Sequence, residues 1–398
     1  MTERRSLEEA QSLALRSVEP LGAESAPAGE ALGRVLAENV YYPAPSPPFD
    51  HAAMDGYAIA GAALEGATFT VRGESRAGVP ARATAQAGDA VTISTGATLP
   101  EGTDTVVPWE QITREGDAVR LLAAARAGQH VRRAGEDAAA GSLAVAMGTR
   151  LGPRHLGALA VAERATVHVA RRPRVLLAIT GDELRAPGAS DAPGLIVDSN
   201  GPMLEALAAR AGASVERVRV RDSAEALRSF LVDAVGRADL IATVGGAADG
   251  EHDHVARVLR DLEAETLFRG VAIKPGKPVG LALLRGVPVL TLPGNPGSAY
   301  VTFALLGLPL LRVLAGETSP VRGVRARLSA PLSAPRDRLA IHYGTLEVRE
   351  GTLTFTPVRS AASGSVPGVA SASALALVPA GAALGVGDLV DAVDLDVA

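Results

Sequence analysis

From residue 173 to about 314 the chain alternates short apolar runs with amphipathic segments, and this rhythm restricts the possible folds more than any other feature. Arg174–Thr180 is apolar almost throughout, and the segment after it places Met203, Leu204, Leu207 and Ala211 on one helical face. Val215–Val220 leads to Ala224, Leu227, Leu231 and Val235 in helical register. Leu240–Val244 leads to a helix over Val255–Leu262, and Val287–Leu292 to a helix beginning near Gly297. A strand without a polar face must be covered on both sides. The alternation therefore predicts a doubly wound α/β domain, a parallel sheet with helices on each face.

The flanks follow other patterns. Leu7, Leu13, Leu15 and Val18 among charged residues predict a short helix over 6–18, and a second helix is expected over Gly29–Glu38. Tyr41 to Pro48 holds four prolines, which remove donors and force extended backbone. Between about 50 and 140, runs such as Thr68–Arg72, Ala90–Ser94, Thr105–Val107 and Val119–Leu122, separated by glycine-rich turns, predict a small β-rich module. Residues 150–172 return to a helix and a strand, as though completing a mixed helical N-terminal region into which that module is inserted. The tail alternates over Gly323–Leu328, Gly344–Val348 and Thr352–Val358 and reads as a C-terminal β domain. The expected division is 1–45 with 140–172, then 46–139, 173–320 and 321–398.

Open parallel sheets bind ligands beyond the carboxyl ends of their strands. Here those ends are consistently polar: Thr180-Gly181-Asp182-Glu183, then Arg221-Asp222-Ser223, then Gly245-Gly246-Ala247-Ala248-Asp249-Gly250 followed by Glu251-His252-Asp253. Asp198-Ser199-Asn200 precedes a helix and reads first as a cap cluster. Leu292-Pro293-Gly294-Asn295-Pro296-Gly297-Ser298 presents backbone amides at a helix start, a favourable seat for an anion. Each signal alone is weak; together they place five polar loops, with the Lys274/Lys277 pair, on one rim. Acids beside anion-binding groups suggest a bridging divalent cation, Mg²⁺ foremost. His252 and His254 read more simply as polar residues near a helix start.

The chain's only two lysines fall on the same stretch of sequence, in Lys274-Pro275-Gly276-Lys277-Pro278, while every other strong base is arginine. Lysine supplies a compact point charge that arginine's planar fork does not, and a small oxyanion or phosphate suits such a pair. The bland alternative is two surface lysines in a turn. In the β-rich module, Asp55 before Gly56 suits a tight turn carrying an acid, and Arg132 to Asp137 reads as a solvated polar turn.

Composition excludes several classes. There are no cysteines, so disulfides, thiolate metal sites and cysteine nucleophiles are ruled out. The formal net charge of −5 and 3% aromatic content offer neither a basic groove nor stacking platforms for nucleic acid. Met1 to Glu9 has no apolar run of the signal-peptide kind, and Ser298–Leu311 is too short to span a bilayer. A cytoplasmic protein with no membrane partner is expected.

Asp50 to Ala58 resembles the PFDNSAMDGYA signature of the molybdopterin molybdenumtransferases, the family of bacterial MoeA and the C-terminal part of gephyrin. Ile93 to Val107, Gly135-Glu136-Asp137, Thr180 to Glu183, Asp198 to Asn200, Lys274 to Pro278 and Leu292 to Ala299 resemble further family blocks, in the family's order. The resemblance implies an elongated homodimer of four subdomains, one of them a molybdopterin-binding α/β domain. It implies insertion of molybdate into adenylylated molybdopterin with release of AMP, assisted by a divalent cation. In family terms Asp55 and Asp137 would act across the dimer. Lys274 and Lys277 would hold the anions, and Asp182, Glu183, Asp222 and Asp253 the cation. Thr180, Gly181, Asp198, Asn200, Gly245, Gly246, Gly250, Pro293, Gly294, Asn295, Pro296 and Ser298 would line the cofactor site. Molybdopterin adenylyltransferase and apo-molybdoenzymes are the further partners it implies.

Some positions depart from the family pattern. Ala248 stands where a serine is usual, followed by Asp249; His51 and Ala52 replace Asn and Ser; Gly270 replaces a basic residue. Altered anion handling is the expected result. The competing readings are a degenerate relative that binds cofactor or scaffolds partners, and the adenylyltransferase itself, which shares only the α/β domain.

Overall fold

The computed structural model describes residues 4–82, 84–189, 192–245, 254–358 and 362–395. At its centre a six-stranded sheet runs in the order Ser214–Val220, Arg174–Thr180, Leu240–Val244, Val287–Leu292, Gly280–Leu284, Glu265–Arg269. The first four strands are parallel, with Val175↔Val215, Val175↔Leu240 and Ile241↔Val289 in register. The last two are antiparallel additions, which departs from an all-parallel expectation. For Gly280–Leu284 the cause is local: Arg285 and Gly286 both take positive φ, so two residues reverse the chain into a hairpin with Val287–Leu292 and no helix intervenes.

Both faces of this sheet are covered. On one, Leu177, Ile179, Leu240 and Leu290 pack with Leu204 and Leu207 of helix Asn200–Arg210 and with Phe303 to Leu314. On the other, Leu176, Ile241 and Val289 pack with Leu227 and Leu231 of Ala224–Ala234 and with Val255 and Val258 of His254–Asp261.

The helical run from Pro296 to Leu314 is 19 residues and passes a length-and-hydropathy test for a membrane span, but it is 89% buried in this core. It changes pitch over Phe303–Gly307, a π segment. Pro309 has no N–H to donate one turn back, which is one way such a widening is accommodated.

The N-terminal helix, Leu7–Arg16, begins in a reciprocal cap: Glu9 N donates to Ser6 Oγ (3.1 Å) and Ser6 N to Glu9 Oε2 (2.8 Å). Its apolar face, Leu7, Ala10 and Ala14, lies against the α/β core. The helix expected over Gly29–Glu38 is not formed. Only Ala28–Glu30 makes a 3₁₀ turn. Beyond it the donors leave the local chain, with Gly33 N bonding Leu151 O, Leu36 N bonding Thr149 O and Ala37 N bonding His168 O.

Ala23–Pro27 pairs with Thr166–Ala170, and Val40–Tyr41 with Leu143–Val145. Between them in sequence lies a second six-stranded sheet, ordered Thr105–Pro108, Gly56–Ile59, Asp89–Ile93, Thr68–Ser75, Ala118–Leu121, Ile112–Glu115. In the C-terminal region the pairings of Leu339–Arg349, Thr352–Pro357, Val324–Leu328, Leu389–Asp394 and Ala374–Val378 close on themselves. A two-residue strand from the α/β region, Ile273–Lys274, joins the same sheet beside Leu339–Arg349.

Candidate functional site

The carboxyl ends of the parallel strands open into a cavity of about 400 Å³. Thr180, Gly181, Glu183, Asn200, Asp222, Gly245, Gly294, Asn295 and Pro296 line it, so one cavity gathers most of the polar loop residues singled out from the sequence. Gly245 shows why the rim is drawn so tight. Its φ is +92°, and a Cβ there would lie 2.6 Å from Thr180 Oγ1 and 2.8 Å from Thr180 O. Only glycine lets these strand ends approach.

Two side chains give the cavity its polarity. Thr180 is buried and its Oγ1 donates to Val244 O at 3.0 Å. Asn200 is 6% exposed; its Nδ2 donates to Gly294 O at 2.7 Å, whereas its buried Oδ1 has no hydrogen-bond partner. An unsatisfied buried acceptor is costly, and a ligand carrying an N–H or O–H would relieve that cost.

Not every expected residue joins. Asp198 Oδ1 instead accepts from Gly201 N at 2.8 Å, capping the helix, and its carboxylate faces Arg217 in a neighbouring cavity of about 210 Å³. Asp182 is exposed on its turn, and Pro293 is buried; neither lines the main cavity. Gly246, Gly250 and Asp253 lie outside the described residues, as do Ala248 and Asp249.

Among the described residues no three carboxylate or histidine groups gather as a metal cage. Glu183 and Asp222 nonetheless share the cavity. Magnesium needs only one or two carboxylates when water and substrate phosphates complete its shell, so this donor set fits it.

A second cavity, of about 530 Å³, is reached by Ser298, two residues into the helix whose start borders the first. Lys274, Lys277 and Ser298 line it, so the chain's only lysines share a cavity with the helix start, whereas Glu183 and Asp222 line the first cavity and not this one. Its opposite wall was not anticipated: Ser333, Arg338, His342 and Ser363, all from the C-terminal region. Ala340 and His342 alternate along the strand Leu339–Arg349 and so share a face, and Arg338 stands just before that strand begins. That alternation is visible in sequence, but nothing there ties it to a turn some sixty residues earlier.

Electrostatics in this second cavity are uneven. Burial, and then the nearby Lys274 charge, hold His342 below its ordinary value, against a contact with Ser333 O at 3.0 Å that pulls it up. Arg338 is paired with Asp337, its Nε 3.0 Å from Oδ1. Of the expected helix-start amides, Gly297 N is already committed to Ser363 O at 2.8 Å, and Pro296 has none to give.

Asp55 and Asp137 line neither cavity of this chain. Asp55 Oδ1 accepts from Thr95 N at 2.7 Å, and Asp137 pairs with Arg132. The 132–137 turn is more than a solvated loop. Arg133 Nη1 reaches Asp50 Oδ2 at 2.6 Å and Ala134 N reaches Asp50 Oδ1 at 2.8 Å. The amide of Ala134, then Arg133, holds the Asp50 carboxyl below its usual range.

Comparison with known proteins places these features in one family. Residues 5–162 match the MoeA N-terminal region (domain I and II), 177–313 a probable molybdopterin binding domain, and 325–395 the MoeA C-terminal region (domain IV). A protein from Mycobacterium tuberculosis (strain ATCC 25618 / H37Rv) named molybdopterin molybdenumtransferase 2 is 35% identical over 393 residues, covering 94% of this chain and 95% of its own. A molybdopterin molybdenumtransferase from Haemophilus influenzae is 36% identical over 291 residues, 72% of each. The crystal structure of a molybdopterin biosynthesis MoeA protein from Pyrococcus horikoshii OT3 superposes with a TM-score of 0.84 at 26% identity, covering 98% of this chain and 99% of that one. With the family's three segments in order and relatives of this identity spanning nearly its whole length, the chain belongs to the MoeA family of molybdopterin molybdenumtransferases.

Proposed function

We propose that this protein carries out the metal-inserting step of molybdenum cofactor biosynthesis: molybdate enters adenylylated molybdopterin and AMP is released. The observation that carries the reading is the meeting of Lys274, Lys277 and Ser298 in one cavity, with the Gly294–Ser298 segment bordering both it and the sheet-edge cavity of Thr180, Glu183, Asn200 and Asp222. One cavity has the charge for a small dianion; the other has donors, an open acceptor and two carboxylates for a nucleotide-capped pterin.

The residues then divide the work. Lys274 and Lys277, with Arg338 opposite, hold molybdate and offset its repulsion from the pyrophosphate linkage. Asn200 Oδ1 accepts a hydrogen bond from the pterin or nucleotide, and Asn295 and Ser298 orient a terminal phosphate. Glu183 and Asp222 would hold Mg²⁺, which would polarise the phosphate being cleaved; Asp182 and Asp253 complete the set of acids expected from the sequence. Asp55 and Asp137 act across a homodimer, each completing the site of the partner chain. The subdomain limits 1–45 with 140–172, 46–139, 173–320 and 321–398 belong to the same reading.

Incubation with adenylylated molybdopterin, Mg²⁺ and molybdate should release AMP with time, and Lys274→Ala should abolish release while the protein stays folded by circular dichroism. Cofactor binding without AMP release would instead mark a scaffold, and consumption of ATP with molybdopterin would mark an adenylyltransferase.

A further inference from the structure

The lysine turn is not held by its own domain alone. The Ile273–Lys274 strand lies in the C-terminal sheet, with Ile273↔Leu339 and Lys274↔Ala340 in parallel register and Leu339 N donating to Ala272 O at 3.0 Å. On the other side the turn presses on the helix that starts at Pro296. A Cβ on Gly276 would lie 2.5 Å from Thr302 Cγ2, so the turn is wedged between that helix and the C-terminal strand.

Farther along the strand, Tyr343 closes the same joint. It is 1% exposed, and its hydroxyl donates to Gly297 O at 2.7 Å. Gly297 N in turn donates to Ser363 O at 2.8 Å, so both polar backbone atoms of Gly297 are spent on the C-terminal domain. There is no slack here: a Cβ on Gly297 would stand 2.6 Å from the Tyr343 hydroxyl and 2.8 Å from Ser363 O. The next residue, Ser298, lines the lysine cavity, and so does Ser363.

Resting on the reading of that cavity as the oxyanion seat, we infer that the C-terminal β domain sets its geometry in cis, with Tyr343 as the positioning residue that latches the domain to Gly297. Losing the hydroxyl frees the Gly297 carbonyl and lets the wall carrying Arg338 and His342 shift relative to Lys274. Burial, and then Tyr300, push the Tyr343 ionisation far above its ordinary value, so the latch keeps its donor proton across the working range.

The test measures molybdate binding to the full-length protein by titration calorimetry for the native chain, Lys274→Ala and Tyr343→Phe, alongside AMP binding and thermal melting. Expected are loss of molybdate binding in Lys274→Ala and weakening by roughly 3- to 10-fold in Tyr343→Phe, the range of one lost buried hydrogen bond. AMP affinity should stay near native in Tyr343→Phe, with only the small fall in melting temperature that one buried hydrogen bond carries, and Gly297→Ala should weaken molybdate binding further. Equal molybdate affinity in the native chain and Tyr343→Phe, with Lys274→Ala dead, would overturn the latch and leave the functional reading standing. So would an equal loss of AMP affinity in Tyr343→Phe, which marks a merely structural tyrosine. Undiminished molybdate binding in Lys274→Ala would remove the functional reading and the latch with it.

Discussion

Lys274 and Lys277 are primary ammonium groups in a chain that otherwise uses only arginine, and their chemistry predicts that the usual exchange fails. Lys274→Arg preserves charge but brings a planar fork too large for the compact dianion proposed to sit there. AMP release at limiting molybdate should fall at least about tenfold, a loss of about 1.4 kcal/mol, read from initial rates. His342, across the cavity, gives a second prediction. Burial and then Lys274 hold it below the unfolded value of 6.5, so its contribution to stability is present above that value and is lost as pH falls through its lower folded value. A bound dianion reverses the balance by favouring the protonated ring. Molybdate affinity should therefore rise as pH is lowered from about 7.5 to about 5.5, and His342→Gln should flatten that slope in binding titrations. The other charged groups facing it are Lys274, Lys277 and Arg338 with its partner Asp337. The lysine pair was legible because it is compositionally singular. Arg338 was not, being one arginine among many.

Among the elements, the parallel strands were the most readable because their burial leaves no polar face. What anchors them was hidden in ordinary charge. Asp239, at the head of the Leu240–Val244 strand, accepts from Arg174 N (2.8 Å), Arg174 Nη2 (3.0 Å) and Arg171 Nη2 (3.2 Å). Burial pushes its carboxyl up, but the hydrogen bonds from Arg174 and Arg171 outweigh burial and leave it below its usual range. Its contribution is thus present above the unfolded value of 3.8 and is lost as pH falls through the lower folded value. Asp239→Ala should cost about 3 kcal/mol in chemical denaturation, toward the low end for a buried pair because both arginines are partly exposed. The failure at Gly29–Glu38 has the opposite origin. Local spacing suggested a helix, but Gly33 at φ +75° and donors drawn to Leu151, Thr149 and His168 gave the backbone better partners elsewhere. The Arg285-Gly286 hairpin was missed because its first residue is not one of the usual turn formers.

At the scale of the molecule, the contacts that matter join regions far apart in sequence, which is why periodicity could not reveal them. Glu317, with its side chain 5% exposed, receives Arg150 on one oxygen (Nε 2.9 Å) and Arg322 on the other (2.7 Å). Arg150 also donates to Gly33 O and Ala211 O, binding the N-terminal region, the α/β domain and the segment after it into one joint. Arg312 is buried beside them, and burial, then Arg322, lower it to about 10. Glu317→Gln strips the charge that balances this cluster. It should lower the melting temperature by an amount equivalent to about 3 kcal/mol and expose residues near 317–323 to limited proteolysis. The Ile273–Lys274 strand has a different consequence. Because the lysine turn is stitched into the following module's sheet, that module is not an exchangeable tailpiece. Chimeras that import a relative's ending must inherit the Leu339–Ala340 alignment as well, or they will fold with Lys274 out of its present register.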